Sequence, residues 1–259
     1  MPHIVPGSRR LPTRLLMLLS RKPEAADFPL AEVDYVQASA LDTLRVVFPN
    51  IDEEIVGKRV IDFGCGRGYQ AVGYAEAGAA SVVGVEIHAE LARLSAARVA
   101  QYGLADRVQI VRELTDEIKG DVIISLNSFE HFVEPEAILA RLKGSLAPGG
   151  RIYINFGPPW YAPTGAHMGF FCKVPWIQLL FSERTILEAR SFYRSDGART
   201  YREAGLGQMS IAKFERVIRD CGLRVASQRY DCVKRQNYLR GVPVVRELAI
   251  NRVSCILME

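Results

Sequence analysis

The stretch VIDFGCGRGYQ, residues 60–70, decides the fold of this chain. Its first four residues are apolar apart from one acid, which is typical of a buried strand. Gly64, Gly66 and Gly68 follow at alternate positions, just before a segment with helical spacing. Glycine at such a turn allows backbone angles that other residues avoid and lets the backbone approach a ligand closely. The stretch therefore predicts a strand, a glycine loop and a helix whose amino terminus faces a ligand.

The spacing of these glycines argues against a dinucleotide ligand. A dinucleotide-binding loop has the pattern G-x-G-x-x-G, which places a pyrophosphate on the helix dipole. Here the pattern is G-x-G-x-G, and Tyr69 stands where the third glycine of the dinucleotide pattern would fall. Asp62, two residues before Gly64, would repel a pyrophosphate and would favour a ligand with a cationic end. A nicotinamide dehydrogenase is therefore not expected.

Outward from this stretch, strand-like and helix-like segments alternate as far as residue 156. The alternation predicts a parallel sheet with helices on both faces. Two more strand-like segments near the end of the chain are joined without a helical pattern, so they should pair antiparallel. The predicted strands are RVIDFG, SVVGVE, RVQIV, DVIISL, RIYINF, LRVASQRYDCV and ELAINRVSCILM.

The segment that follows the fifth strand, residues 157–208 approximately, is rich in proline, glycine and aromatic residues. Insertions at the carboxyl end of a sheet strand lie where such folds bind ligands, so we expect this one to cover a substrate. Its aromatic side chains are typical of a core and also favour an apolar or ring-containing substrate. We expect residues 1–50 to form a helical arm or cap and residues 51–259 the main domain.

Composition limits the classes of partner. The chain has 259 residues, a net charge of +4 and a hydrophobic fraction of 49%, which does not require a nucleic-acid partner. Five cysteines without a C-x-x-C pair argue against a disulfide framework and favour a reducing cytoplasm. The pattern indicates no particular oligomeric state.

The apolar run LLMLL, residues 15–19, is too short to span a membrane. Arg9, Arg10 and Arg14 precede or flank it. The run is therefore expected to be a helix packed on the domain, and the alternative is an amphipathic helix in peripheral contact with a membrane surface.

Four motifs in order resemble those of the class I S-adenosylmethionine-dependent methyltransferases. VIDFGCGRG resembles the first motif, D-x-G-x-G-x-G, and VVGVEIH the second-strand motif. DVIISLNSFEHF resembles the fourth-strand motif, and LKGSLAPGGRIYINF the helix, turn and fifth strand. The pair Glu-His within FEHF is similar to the small-molecule branch, which includes the type 11 and quinone-ring methyltransferases. The resemblance implies an α/β, Rossmann-like sheet of seven strands in the order 3-2-1-4-5-7-6, mostly parallel, with the last strand antiparallel.

The resemblance implies S-adenosyl-L-methionine as the cofactor. The glycine loop would lie against its methionine part, with Asp62 orienting that end and the backbone carbonyl of Asn127 accepting from the ammonium group. The residues implied in cofactor binding are Asp62, Gly64, Cys65, Gly66, Gly68, Glu86, Ile87, Glu113, Leu114 and Asn127. A sulfonium needs a nucleophile placed in line rather than a metal, so no metal site is expected.

The nucleoside end of the cofactor would contact residues after the second and third strands. Glu86 comes 22 positions after Gly64 (86 minus 64), close to the spacing of ~20 at which a carboxylate meets a ribose in a nucleotide-binding unit. The resemblance places Ile87 against the adenine and Glu113, followed by Leu114, near the adenine amino group.

Two histidines are candidates for catalysis. His131 belongs to the Glu-His pair, and the alternative is a structural role at the start of a helix. His167 lies in the insertion, where a neutral imidazole could take a proton from a hydroxyl group that attacks the methyl group.

The predicted function is methyl transfer from S-adenosylmethionine to a small-molecule acceptor, at a hydroxyl oxygen of an apolar or ring-containing substrate. The alternatives are an N-methyltransferase of nucleic acid or protein, and a non-catalytic cofactor-binding protein. N-methyltransferases that act on planar amino groups typically carry an [Asn/Asp]-Pro-Pro-[Tyr/Phe] loop after the fourth strand. This chain has NSFEH there, so nucleic acid is not the expected substrate. The intact glycine loop and Glu86 argue against a non-catalytic cofactor-binding protein.

Overall fold

The computed structural model of the chain describes residues 10–21 and 36–259. His3 and Arg9 lie outside the described residues. The described residues form one seven-stranded sheet in the order β3-β2-β1-β4-β5-β7-β6. The strands are β1 (Arg59–Phe63), β2 (Ser81–Val85), β3 (Val108–Val111), β4 (Gly120–Leu126), β5 (Leu146–Phe156), β6 (Arg224–Cys232) and β7 (Ile250–Met258). β1 to β5 pair in parallel, and β7 is antiparallel to both of its neighbours. The predicted sheet and its strand order are confirmed.

Helices cover both faces of this sheet, as predicted. In β1, Val60 packs with one cluster of buried side chains and Ile61 with another, because successive side chains of a strand point to opposite faces. Both are 1% exposed, so the central strand is buried on both sides. The helices are α1 (Leu11–Leu18), α2 (Asp42–Val47), α3 (Ile51–Ile55), α4 (Tyr69–Glu76), α5 (Ala89–Gln101), α6 (Pro135–Gly144), α7 (Ile177–Leu180), α8 (Glu183–Arg190), α9 (Ile211–Asp220) and α10 (Val245–Ala249).

A third hydrophobic cluster lies between the segment after β5 and helix α1. Leu16, Phe171 and Ile186 are fully buried in it. The Thr13 hydroxyl of α1 donates to a carboxylate oxygen of Glu188 at 2.8 Å, which ties the two parts together. We call α1 together with residues 157–208 the cap.

The aromatic residues of the cap fill its own interior. The ring of Phe171 stacks on that of Tyr193 with centroids 4.9 Å apart, and Trp160 meets Tyr201 edge to face at 4.8 Å. Tyr161 is an exception, with 39% of its surface exposed. Most of the predicted aromatic stretch is therefore core.

Two details differ from the sequence-based expectation. Residues 148–150, expected to form a turn, belong to β5, and the pairing with β4 shifts register between Gly120 and Val122. The expected last strand begins later, at Ile250, because the residues before it form α10. That helical turn lets Glu247 accept hydrogen bonds from two backbone N–H groups at the start of α9, at 3.0 and 2.7 Å. Within the described ranges, no helix has the length and apolarity needed to cross a membrane.

Candidate active site

The glycine loop leaves the carboxyl end of β1 and is fastened to the end of β2. The backbone N–H groups of Gly64 and Cys65 both donate to the carbonyl oxygen of Val85, at 2.9 and 3.0 Å. Gly64, Gly66 and Gly68 have φ values of 86°, 55° and 79°. These left-handed conformations are unfavourable for residues with a side chain, which explains the three glycines.

The three glycines have different surroundings. A Cβ at Gly64 would lie 2.4 Å from the Ser128 hydroxyl oxygen, and one at Gly68 would lie 2.3 Å from the Ser95 hydroxyl oxygen. A Cβ at Gly66 would have no protein atom within 4 Å. Gly64 and Gly68 are therefore required by packing within the chain, whereas Gly66 presents bare backbone at the surface of the loop.

Asp62 is a buried carboxyl group beside this loop. Asp62 is only 3% exposed. Its Oδ2 atom has no hydrogen-bond partner among the described residues. Burial, and then the charge of Glu86, raises the pKa of Asp62 to about 7. A buried polar atom without a partner is uncommon in folded proteins and calls for an explanation. A cationic ligand group such as the ammonium of the predicted cofactor would supply the missing partner.

Tyr74 on α4 adds a second such atom, which the sequence did not single out. Its ring is fully buried, and its hydroxyl group has no partner among the described residues. Burial, followed by the charge of Asp62, raises the pKa of Tyr74. Two buried polar groups beside the loop therefore have no partner within residues 10–21 and 36–259.

Glu86 directly follows β2 and is held by backbone. Its Oε2 accepts from the N–H of Gly66 at 3.0 Å, and its Oε1 accepts from the N–H of His88 at 2.8 Å. The residue is 8% exposed. The carboxylate thus lies against the glycine loop with a fixed orientation, which suits a group that accepts from two neighbouring hydroxyls.

Ile87 is the next residue and is 81% exposed, so its apolar side chain is open to a flat ligand surface. Glu113 is exposed, and Leu114 is 3% exposed and packs in the core that includes Ile61 and Val85. The side chain of Leu114 therefore belongs to the core. Asn127 is exposed, with φ of 52°, and its N–H donates to the carbonyl of Asn155 at 2.8 Å.

The thiol of Cys65 points away from the loop surface. It is 3% exposed, lies 3.8 Å from the Ser95 hydroxyl oxygen, and would be 3.0 Å from a Cβ at Gly84. Burial raises its pKa, so the thiol stays protonated and unreactive. Its contribution to the predicted site is its backbone.

The structure brings the two predicted histidines together, although 36 positions separate them (167 minus 131). The rings of His131 and His167 meet edge to face, with centroids 5.1 Å apart. His131 belongs to the 3-10 helix Phe129–His131 after β4, and His167 belongs to the cap and has φ of 53°.

Both imidazoles are neutral and have a defined tautomer. His131 Nδ1 bonds to the carbonyl oxygen of Gly205 at 3.1 Å, and His167 Nε2 to that of Pro158 at 3.0 Å. Because a carbonyl oxygen accepts only, these nitrogens carry the protons, and the other nitrogen of each ring keeps its lone pair. Burial and the neighbouring His131 ring lower the pKa of His167 to about 4, and burial lowers the pKa of His131.

Glu130, the neighbour of His131, is a functional candidate that the sequence reasoning missed. It is 5% exposed; its Oε1 accepts from the Gly157 N–H at 3.4 Å and its Oε2 has no partner among the described residues. Burial raises its pKa to about 7. It lines a narrow cavity with His167 and Gln208. The Glu-His pair in the sequence was the available signal, but it did not show that the carboxyl group is buried.

The glycine loop and the histidine pair lie at the same edge of the sheet. Ser128, which packs against Gly64, directly precedes the 3-10 helix that carries His131. The rings of Phe63, at the end of β1, and Phe132, just after His131, meet at 5.6 Å. Within the described residues, no three His, Cys, Asp or Glu side chains are grouped so as to hold a metal ion.

Among known proteins, this chain is similar to methyltransferases. Ubiquinone biosynthesis O-methyltransferase of Xanthomonas euvesicatoria pv. vesicatoria (strain 85-10) is 30% identical over 120 residues, which are 45% of this chain and 50% of that one. Ribosomal protein L11 methyltransferase of Vibrio cholerae serotype O1 (strain M66-2) is 31% identical over 104 residues, 39% of this chain and 34% of that one. The chain thus spans about half the length, or less, of the curated relatives it matches.

The fold resembles solved structures. Magnesium protoporphyrin IX methyltransferase from Synechocystis PCC 6803 with bound SAH superposes with a TM-score of 0.52 at 19% identity, over 86% of this chain and 83% of that one. A family model described as a methyltransferase domain matches residues 33–164, slightly more than half of the chain. That range holds the glycine loop, Glu86 and His131, and the resemblance inferred from the sequence is confirmed. The chain therefore belongs to the methyltransferase domain family.

Proposed function

We propose that this chain binds S-adenosyl-L-methionine and transfers its methyl group to a small-molecule acceptor, at a hydroxyl oxygen of an apolar or ring-containing substrate. One observation carries the cofactor part of the proposal. Asp62 is a buried carboxyl with an unpartnered oxygen, beside a loop of bare backbone and a backbone-held Glu86. That combination suits a ligand with an ammonium group at one end and a ribose at the other.

Each part of the cofactor has a residue to hold it. Asp62 would pair with the ammonium group, the Gly66 backbone would lie against the methionine part, and Glu86 would accept from the ribose hydroxyls. Ile87 would cover one face of the adenine, with Glu113 and the Leu114 backbone near its edge. When bound, the cofactor supplies an activated methyl group on a cationic sulfur, so the chain needs no metal for the transfer.

The acceptor would bind between the glycine loop and the cap. An acceptor hydroxyl loses its proton as its oxygen takes the methyl group, and the sulfur leaves as a neutral thioether. His131 and His167 are neutral imidazoles with a free lone pair, which suits them to take that proton. The pKa of Glu130, about 7, lies nearer neutrality than that of His167, about 4, so Glu130 is the competing candidate for this role.

The class of acceptor has support from one relative and from the cap. The O-methyltransferase relative is named for ubiquinone biosynthesis, and the cap, with residues 157–208, follows the strand that ends beside the site. The second relative, named for ribosomal protein L11, favours the alternative of a protein substrate. We retain residues 1–50 as a helical arm or cap and residues 51–259 as the main domain. We also retain the cytoplasm as the location, which the five free cysteines favour.

Calorimetry tests the cofactor part first. S-adenosylhomocysteine should release heat on binding, and NAD should not. Glu86→Ala should weaken that binding by roughly 1–3 kcal/mol, the scale of a lost buried polar partner. Glu117→Ala removes an exposed acid of the same size and should leave the affinity unchanged. Absence of binding to the wild-type chain would overturn the proposal.

A radiolabelled methyl donor then tests the acceptor class. The expected result is label in phenolic and quinone-ring acceptors and none in a ribosomal protein extract. Label in protein instead would replace the small-molecule proposal with the protein alternative, while leaving the cofactor assignment intact.

A further inference from the structure

Helix α1 has one buried face and, opposite to it, an apolar face that is exposed to solvent. Thr13 and Leu16 are fully buried against the rest of the cap. Leu11, Leu15 and Leu18 recur at intervals of four and three residues, so they share one stripe of the helix. They are 76%, 50% and 83% exposed. We call these three residues, with Leu19, which is 49% exposed, the leucine stripe.

Cationic side chains accompany the leucine stripe. Arg14 and Arg21 are exposed and lie on α1 or just beyond it. Lys173 is also exposed, and its neighbour Cys172 contacts the Leu19 carbonyl, with the sulfur 4.0 Å from the oxygen. The part of the chain that the structure describes provides no ion-pair partner for these three cations. Glu188, the acid beside α1, is already engaged by Thr13 and Arg10.

A second patch of the same character lies between β6 and β7. Tyr238 is 74% exposed and Val244 is 77% exposed. Val244 has φ of 66°, which is an unfavourable conformation for a β-branched residue. Its side chain is nevertheless not buried against any of the described residues. Lys234 and Arg240 beside it are exposed. We call residues 234–248 the hairpin patch.

Both patches belong to the end of the sheet that carries the candidate site. Val253 of β7 pairs with Phe156, the last residue of β5, so the segment before β7 extends beyond the carboxyl end of β5. The cap follows β5 directly, and α1 packs on α8 within it. Exposed leucines and valines next to cations therefore lie on α1, which packs against the segment after β5, and on the segment before β7.

We infer that this end of the molecule docks on an anionic phospholipid bilayer, with the leucine stripe inserted among the headgroups and the cations of both patches against the lipid phosphates. Apolar insertion and electrostatic attraction add, which is how an amphipathic surface helix binds a membrane. Docking in this orientation would present the acceptor side of the site to apolar molecules dissolved in the bilayer. The inference concerns the surface and stands apart from the proposed activity.

Sedimentation with vesicles tests the inference on the full chain. Vesicles of equal parts phosphatidylglycerol and phosphatidylcholine should carry the protein down, and vesicles of phosphatidylcholine alone should bind it about tenfold more weakly. Salt at about 0.5 M should weaken the binding similarly, because it screens the cations. Equal binding to both vesicle types, or to neither, would overturn the inference.

A pair of matched variants locates the surface. Leu15→Gln/Leu18→Gln should lower binding to the anionic vesicles about tenfold and leave the melting temperature unchanged, because both side chains are exposed. Val46→Gln/Val56→Gln removes two valines that are 71% and 57% exposed, on α2 and just after α3, and should keep wild-type vesicle binding.

Two other outcomes of the leucine variant would overturn the inference. A drop in the melting temperature would show that the stripe is covered by another part of the same chain. A change from dimer to monomer in light scattering would show that it is covered by a second copy. Calorimetry with S-adenosylhomocysteine on the same samples separates this result from the proposed function, since loss of vesicle binding with normal heats concerns the surface alone.

Discussion

The buried carboxyl groups of Asp62 and Glu86 lie on adjacent parallel strands, one within β1 and the other directly after β2. Burial and the charge of Glu86 together raise the pKa of Asp62 to about 7. Glu86 has two backbone N–H partners, whereas Asp62 Oδ2 has none among the described residues. The site without ligand therefore carries a buried acid whose pKa is raised toward neutrality.

The affinity for S-adenosylhomocysteine should fall as the pH drops below about 7. The ammonium group needs an ionised partner, so each pH unit below the pKa of Asp62 costs up to about tenfold in affinity. Asp62→Asn should bind at least about tenfold more weakly at pH 8 and lose this pH dependence, because it removes a charge-assisted hydrogen bond. Calorimetry at pH 6, 7 and 8 measures both effects, and equal wild-type affinities at pH 6 and 8 would contradict the assignment.

The unliganded protein should become less stable as the pH rises from about 4 to about 7. Asp62 and Glu130 have folded-state pKa values near 7, above their ordinary values of 3.8 and 4.5. In that interval the unfolded chain is ionised first, so the folded state loses stability until both groups have titrated. Each of Asp62→Asn and Glu130→Gln should reduce the loss, by roughly 2–4 kcal/mol at most.

Urea unfolding at pH 5.5 and pH 8 measures this difference. Asp116→Asn, whose side chain is 95% exposed, serves as the control and should keep the wild-type pH dependence. If neither buried substitution changes the slope, the two carboxyl groups are ionised in the folded protein.

Gly66→Ala should block the cofactor without disrupting the fold. Gly66 and Gly103 have φ of 55° and 66°, and a Cβ at either would meet no protein atom within 4 Å. Alanine at each position should therefore cost the same strain, about 1–2 kcal/mol of unfolding free energy. The variant at Gly66 should also bind S-adenosylhomocysteine at least about tenfold more weakly, and the variant at Gly103 should bind normally. Equal affinities would remove Gly66 from the cofactor contacts.

Gly64→Ala should destabilise the fold by overpacking against Ser128, and a second substitution should relieve this overpacking. The new Cβ would lie 2.9 Å from the Ser128 Cβ as well as 2.4 Å from its hydroxyl oxygen. Overpacking of this kind costs about 1–3 kcal/mol. Ser128→Gly in the same chain should restore the packing part and leave the backbone strain. A double-mutant cycle in thermal unfolding measures the coupling, and additive effects would show that the two residues do not touch.

His167→Asn should leave cofactor affinity intact and lower turnover by ~10²–10⁴ if His167 takes the acceptor proton. Asparagine tolerates the left-handed backbone of this position, so the fold should be retained. The acid limb of the kcat profile at saturating cofactor, where weaker cofactor binding through Asp62 does not contribute, separates the candidates: it lies near pH 4 for His167 and near pH 7 for Glu130. A loss below about tenfold would return His167 to a structural role.

Local spacing was enough to predict much of the fold. The glycine loop, Glu86 and the strand alternation are patterns within short segments. They indicated the alternation of strands and helices, and the family resemblance that they carry implied the observed sheet order. The same spacing could not distinguish Gly64 and Gly68 from Gly66, because the difference depends on Ser128 and Ser95, which come from other parts of the chain.

The acceptor side was less predictable because it is built by tertiary contacts. The pairing of His131 with His167 depends on how the cap folds back over the end of β4. The importance of Glu130 depends on burial, which a lone acidic residue in a sequence does not reveal. The helical turn at Glu247 was missed for the same reason, since its purpose is to satisfy α9.

The position of β7 has a consequence for how the chain is assembled during synthesis. β7 follows β6 along the chain but lies between β5 and β6 in the sheet. Until residues 250–258 have left the ribosome, β5 lacks its outer neighbour and β6 has no strand to join. A nascent chain at that stage exposes open backbone edges, at which other chains can pair until those nine residues have emerged and taken their place.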